Sequence, residues 1–193
     1  MANAVTQFEH MSFDDFEELL LDKPDNERWE LIGGRVIRGM VGARWEHERI
    51  AGNIYIALQT SFRKKASTCR AFKETFYLKR KTLDLSVFPD VIVRCGTIDR
   101  GEVSVDDATA LFEVLSPGTE PRDRYEKWES YKALPSLRHY VLITRDKPLV
   151  EIRTKSGLDW TGLVVEGLDK TLSLPGIDFE MPVAAIYEDV LTV

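Results

Sequence analysis

Two periodicities alternate along this chain, and together they predict an α+β (mixed α/β) fold. Three segments carry apolar residues at helical spacing: SFDDFEELLL from Ser12, WEHERIAGNIYIALQTSFRKK from Trp45 and RDRYEKWESYKAL from Arg122. Between and after them lie short runs rich in Val, Ile, Phe and Tyr, bounded by Gly, Pro and Asp, which read as strands. Two of these runs, SVFPDVIVRC and ATALFEVLS, are apolar on both faces, as central strands covered on both sides must be.

In chain order, Ser12 is an N-cap, Asp15 stands at the third helical position, and Phe13, Phe16, Leu19 and Leu20 give the first helix an apolar face that ends at Pro24. RWELIGGRVIRG then reads as a hairpin turning at Gly33-Gly34, with Glu30 on its first strand. Ile50, Ile54, Ala57, Leu58 and Phe62 mark a longer amphipathic helix with a basic end. Strands are expected over AFKETFYLKR, SVFPDVIVRC and ATALFEVLS, with the polar GTIDRGEVSVDD before the last. A third helix closes at Pro135, and LRHYVLIT, LVEIRTK, TGLVVEG and LPGIDFEMPV supply further strands. No repeat or linker divides the chain, so residues 1–193 are expected to form one domain.

Composition narrows the classes of function. With 26 basic against 32 acidic residues the formal charge is −6, which argues against a protein that coats nucleic acid by bulk electrostatics; a polyanion site must be local. No apolar run reaches the length of a membrane span, and MANAVTQFEH lacks the regions of a signal peptide. Cys69 and Cys95 form no framework or CxxC pair, so a cytoplasmic home is expected. His10, His47 and His139 have no metal-ligand spacing, and no GxSxG, P-loop or HExxH motif is present.

What stands out is acid in buried strands. Asp90 shares a face with Phe88 and Ile92, and Glu113 with Leu111 and Leu115. A lone buried carboxylate costs several kcal/mol unless it is paired, protonated or bound to a cation. On the helix that follows, Lys127 falls on one arc with Asp123, Tyr131 and Leu134. Two uses for it are open: a salt bridge to Asp123 four residues earlier, or a place beside the two acids. Two hard oxygen ligands and a lysine at one sheet edge suit Mg²⁺, with Mn²⁺ as substitute, and hydrolysis of a phosphodiester. The densest cation clusters, Arg63, Lys64 and Lys65 and then Lys79, Arg80 and Lys81, are candidates for contact with nucleic acid; solvated surface is the competing reading.

Taken in order, WELIGGRVI, WEHERI, FPDVIV, FEVLSPGT, RDRYEKWESY and LPGIDFEMPV resemble the Uma-two family of restriction endonucleases within the PD-(D/E)xK nuclease superfamily. The resemblance implies a restriction-endonuclease-like core, a mixed sheet flanked by helices, with Mg²⁺ at the sheet edge and DNA as substrate. Asp90 matches the family's PD aspartate, Glu113 its second acid and Lys127 a lysine on the next helix; the superfamily's usual lysine position is Leu115 here. In that reading Asp90, Glu113 and the Val114 carbonyl hold the metal, Lys127 positions the attacking water, and Glu30 is a further acid. Gly33 and Arg35 replace two acids of the family hairpin, and His47 fits the family's histidine. A homodimer would serve cleavage of both strands of a duplex. The alternative is a non-catalytic nucleic-acid-binding or regulatory protein that keeps the fold without the chemistry.

Overall fold

The computed structural model describes residues 10–40, 42, 44–73 and 75–191. Helix α1 (Phe13–Leu19) starts as expected, with the Ser12 hydroxyl accepting the Asp15 amide at 3.2 Å, and a 3₁₀ turn over Leu20–Asp22 follows. Strands β1 (Glu27–Ile32) and β2 (Arg35–Met40) form the hairpin, and Gly33 and Gly34 turn it at φ of 55° and 81°, values that favour glycine. Helix α2 (Trp45–Lys64) buries Ile50, Ala51, Ile54, Leu58 and Phe62.

Two expected strands divide. AFKETFYLKR becomes β3 (Cys69–Lys73) and β4 (Tyr77–Arg80), with Glu74 outside the described residues; SVFPDVIVRC becomes β5 (Leu85–Val87) and β6 (Val91–Cys95). The second break falls at Phe88-Pro89-Asp90, where proline has no amide to give a ladder. Next come β7 (Ser104–Val105) and β8 (Ala110–Leu115), a π-helical turn (Arg122–Glu126) leading into α3 (Lys127–Tyr131), and β9 (His139–Thr144), β10 (Leu149–Ser156) and β11 (Asp159–Glu166). The hairpin β12 (Thr171–Leu174) and β13 (Phe179–Pro182) and a short α4 (Val183–Ile186) complete the described chain.

A six-stranded sheet in the order β11-β10-β9-β8-β6-β3 is mixed, because β8 and β9 run parallel while their neighbours are antiparallel. The parallel pair requires a crossover, and the segment carrying the π turn and α3 supplies it. One face of this sheet packs Val91, Val93, Phe112, Val114, Val141 and Ile143 against α2 and the β12–β13 hairpin. The other packs Ile92, Leu111, Leu115 and Leu142 against Tyr131 and Leu134 and against the second sheet, ordered β2-β1-β5-β4-β7.

Cys69 and Cys95, expected to form no framework, are joined by a disulfide. Their separation of 26 residues carries no sequence signal; the register of β3 against β6 sets them directly opposite. Among the described residues no helix is long and apolar enough to cross a membrane.

Candidate active site

The β6–β8 ladder pairs Val91 with Phe112 and Ile92 with Leu111, and the same register carried one step further sets Asp90 opposite Glu113. Asp90 lies at the mouth of β6, where the chain passes from one sheet to the other. Its Oδ2 accepts the Val114 amide at 2.6 Å and lies 3.1 Å from Nε2 of His47, on the first turn of α2. Glu113 faces the opposite helix. Its Oε1 accepts from Lys127 Nζ at 2.8 Å and from the Tyr131 hydroxyl at 3.0 Å. Lys127 also lies 3.0 Å from Asp123 Oδ1, an ion pair without hydrogen-bond alignment.

The acids and the lysine are buried: Glu113 is 3% exposed, Lys127 4% and Asp123 2%. Of the two uses the sequence leaves open for Lys127, the salt bridge to Asp123 forms, and of the two acids it reaches Glu113 but not Asp90. The π turn contributes to that placement. The Lys127 amide donates to the Arg122 carbonyl five residues back, and the carbonyls of Asp123 and Arg124 accept from Tyr140 Oη at 2.7 Å and Arg153 Nη2 at 3.2 Å. Arg124 is clamped between Glu120 and Glu151, both at 2.6 Å.

Burial pushes the Glu113 carboxyl well above the usual carboxylate range, with Lys127 opposing the shift and Asp123 and Asp90 adding to it. Burial also pulls on Lys127, but Asp123 and Glu113 outweigh it and hold the ammonium well above the usual lysine value. The lysine is therefore the firm charge, and the acids around it are in excess. A cation bound among these acids would offset that excess.

These acids floor a cleft of about 500 Å³. Glu30 lines it and accepts the Phe88 amide at 2.9 Å, which braces the turn that delivers Asp90. Val114, Ser116 and Thr119 line it from the end of β8, and Arg28, Arg44, Arg122 and Arg145 line it from four separate segments. The six cations of the two sequence clusters are not among its lining residues. Lys65 pairs with Asp178, Lys79 with Glu17, Arg80 with Asp106 and Lys81 with Asp14, while Arg63 and Lys64 are exposed.

Among the described residues no three His, Cys, Asp or Glu side chains group as a cation cage. The donors present still suit a hard divalent ion that keeps most of its waters. Asp90 and Glu113 each spend one oxygen on protein donors, and neither Oδ1 of Asp90 nor Oε2 of Glu113 accepts a hydrogen bond from the described residues. Residues that spacing alone left unassigned are Asp123, known only as the neighbour of Lys127, Tyr131, and the cleft arginines.

Comparison with known proteins bears on the fold and the family. A protein from Synechocystis sp., "Uncharacterized protein slr1290", is 33% identical over 101 residues, covering 51% of this chain and 53% of that protein, so the match spans about half of each. A crystal structure of a "putative nuclease belonging to DUF820" from Anabaena variabilis superposes with a TM-score of 0.74 over 94% of this chain and 99% of that one, at 18% identity, which establishes a shared fold. Residues 13–184 match the Uma2 family, described as "Putative restriction endonuclease", and the chain belongs to that family.

Proposed function

We propose that the protein is a metal-dependent DNA endonuclease that hydrolyses phosphodiester bonds with Asp90, Glu113 and Lys127. The observation that carries this reading is the buried acid at the cleft floor, where Glu113 and Asp123 share one lysine and Asp90 lies opposite Glu113 in the strand register. Asp90 and Glu113, with the Val114 carbonyl, would hold Mg²⁺ or Mn²⁺. Bound there, such an ion supplies Lewis-acid charge and a water of lowered pKa. Lys127 is held as an ammonium and cannot accept the water's proton. Its part is to fix Glu113, orient the water and offset charge on the phosphate oxygens. Tyr131 locks the same carboxylate oxygen, and Glu30 positions the turn before Asp90. The water oxygen bonds to phosphorus as the bond to the departing sugar oxygen breaks; the water's proton leaves to solvent, and the departing oxygen takes one from solvent.

Membership of a family described as "Putative restriction endonuclease" supports DNA as the substrate. Nicking of supercoiled plasmid at low salt with Mg²⁺ or Mn²⁺, against a chelator control, tests the reading. Wild type should nick, and Asp90→Ala and Glu113→Ala should not. Equal activity in all of them would mean a contaminating nuclease, and a wild type that binds metal but never cleaves would favour a non-catalytic binding role.

A further inference from the structure

We infer that Arg122 is the side chain that grips the phosphate backbone in the cleft; this rests on the endonuclease reading for its substrate and deepens it. The cleft's cations differ in what already holds them. Lys127 is committed to Glu113 and Asp123. Arg145 is bound in a fork to Asp146, at 2.7 and 2.9 Å. Arg28 lies over the Phe88 ring, 4.9 Å from its centroid, and Arg44 is exposed to solvent with its charge acting on Asp146. Arg124, two residues along the same turn, is spent on Glu120 and Glu151 and is not a cleft residue.

Arg122 is half-buried and lines the cleft beside Asp123 and Lys127. Its Nε is shielded from solvent and has no hydrogen-bond acceptor among the described residues. A shielded donor without an acceptor is a standing cost, one that a turn of the guanidinium toward a ligand oxygen in the cleft would remove. A guanidinium is a planar fork that matches two phosphate oxygens. A phosphodiester reaches Asp90 and Glu113 only through the divalent ion they would hold. The Arg122 carbonyl accepts the Lys127 amide, so the phosphate grip and the lysine are set by one turn of backbone.

The test is fluorescence anisotropy of labelled duplex and single-stranded oligonucleotides with Ca²⁺, across a salt series, for wild type, Arg122→Ala, Arg122→Gln and Arg122→Lys. Thermal melting and Mg²⁺ titration of each variant verify the fold and the acid site. Arg122→Ala and Arg122→Gln should weaken binding about 10-fold and lower the slope of log affinity against log salt by about 1. Arg122→Lys should keep the slope and lose part of the affinity. A folded Arg122→Ala or Arg122→Gln variant with wild-type affinity and slope overturns the inference, and so does weakened binding with an unchanged slope. If wild type binds with an Arg122-dependent slope but never cleaves, the grip stands and the nuclease chemistry falls. If it cleaves and Arg122→Ala cleaves and binds equally well, the chemistry stands and the grip falls. No nucleic-acid binding at any salt overturns both.

Discussion

The parallel pair β8–β9 buries ionisable groups at both of its ends, and the two ends are built on opposite terms. At the amino end His139, opposite Ala110, is 1% exposed. Its Nε2 accepts the Gly176 amide at 2.9 Å, which puts the ring proton on Nδ1, where it meets Thr154 Oγ1 at 3.1 Å. Every ring nitrogen is used, and burial lowers its pKa to about 4, so it is neutral. At the carboxyl end Glu113 and Asp123 share one lysine, and Asp90 beside them accepts the Val114 amide and meets His47. The first arrangement satisfies every polar atom of its ring; the second leaves Asp123 Oδ1 without a hydrogen bond among the described residues. A buried polar group with all partners in place holds a fold together, whereas a buried excess of one charge marks a place kept for something else.

The largest expected effect lies at the carboxyl end. Asp90→Ala or Glu113→Gln should take metal-dependent plasmid nicking to background and abolish metal binding, while the melting temperature stays level or rises as the acid excess shrinks. A fall in melting temperature with nicking retained would place Glu113 with His139, among the structural groups.

Lys127→Met leaves Glu113 and Asp123 buried without a counter-charge. It should cost about 3–5 kcal/mol by denaturant unfolding of the metal-free protein, and added Mg²⁺ should recover part of the loss. It should also slow nicking by about 10²-fold or more in the folded fraction. A variant as stable as wild type without metal would mean that Lys127 does not balance these acids.

His139→Ala empties a packed site and strands the Gly176 amide, for about 2–4 kcal/mol of stability, with nicking per folded molecule unchanged. Loss of nicking at full stability would erase the contrast between the two ends.

Acidity separates them next. His139 has a folded pKa of about 4 against an ordinary 6.5, so the unfolded chain binds more protons between those values. Its contribution is complete above pH 6.5 and lost as pH falls toward 4, roughly 3 kcal/mol in full. Glu113, raised, has the opposite sign: its neutral form suits the metal-free fold at low pH, and that support is lost as pH rises through the raised value. Urea unfolding of wild type and His139→Gln at pH 7 and pH 5 should show the acid loss in wild type alone. An identical loss in both would assign it to other groups.

The smallest effect belongs to the surface. Lys81→Ala, which breaks an exposed pair with Asp14, should change stability by less than about 0.5 kcal/mol. Its nicking should stay within about twofold of wild type. A tenfold loss of nicking would move DNA contact out of the cleft and onto the basic cluster.

Much of the carboxyl end was legible in the chain because strand and helix periodicity are local. Asp90 and Glu113 stand out as acids in runs apolar on both faces, and Lys127 as a cation on the arc of Tyr131 and Leu134, which are both fully buried. The break at Pro89 was also legible, since proline interrupts a ladder, yet the apolar residues on either side suggested one strand where two sheets meet. Less local features were hidden. The π turn adjusts Lys127 through i to i−5 bonding that no residue pattern announces. Arg28, Arg44, Arg122 and Arg145 meet only because distant segments wall one cleft, while the cations dense in sequence are largely neutralised by nearby acids. Cys69 and Cys95 pair through strand register, which spacing does not encode.

The claim that the carboxyl end is kept for a cation is tested most directly by anomalous scattering from crystals soaked in Mn²⁺. A peak is expected within bonding distance of the carboxylates of both Asp90 and Glu113, absent in Glu113→Gln. No peak there at saturating Mn²⁺, or one confined to the acids Asp99, Glu102, Asp106 and Asp107 around Arg94, would contradict it.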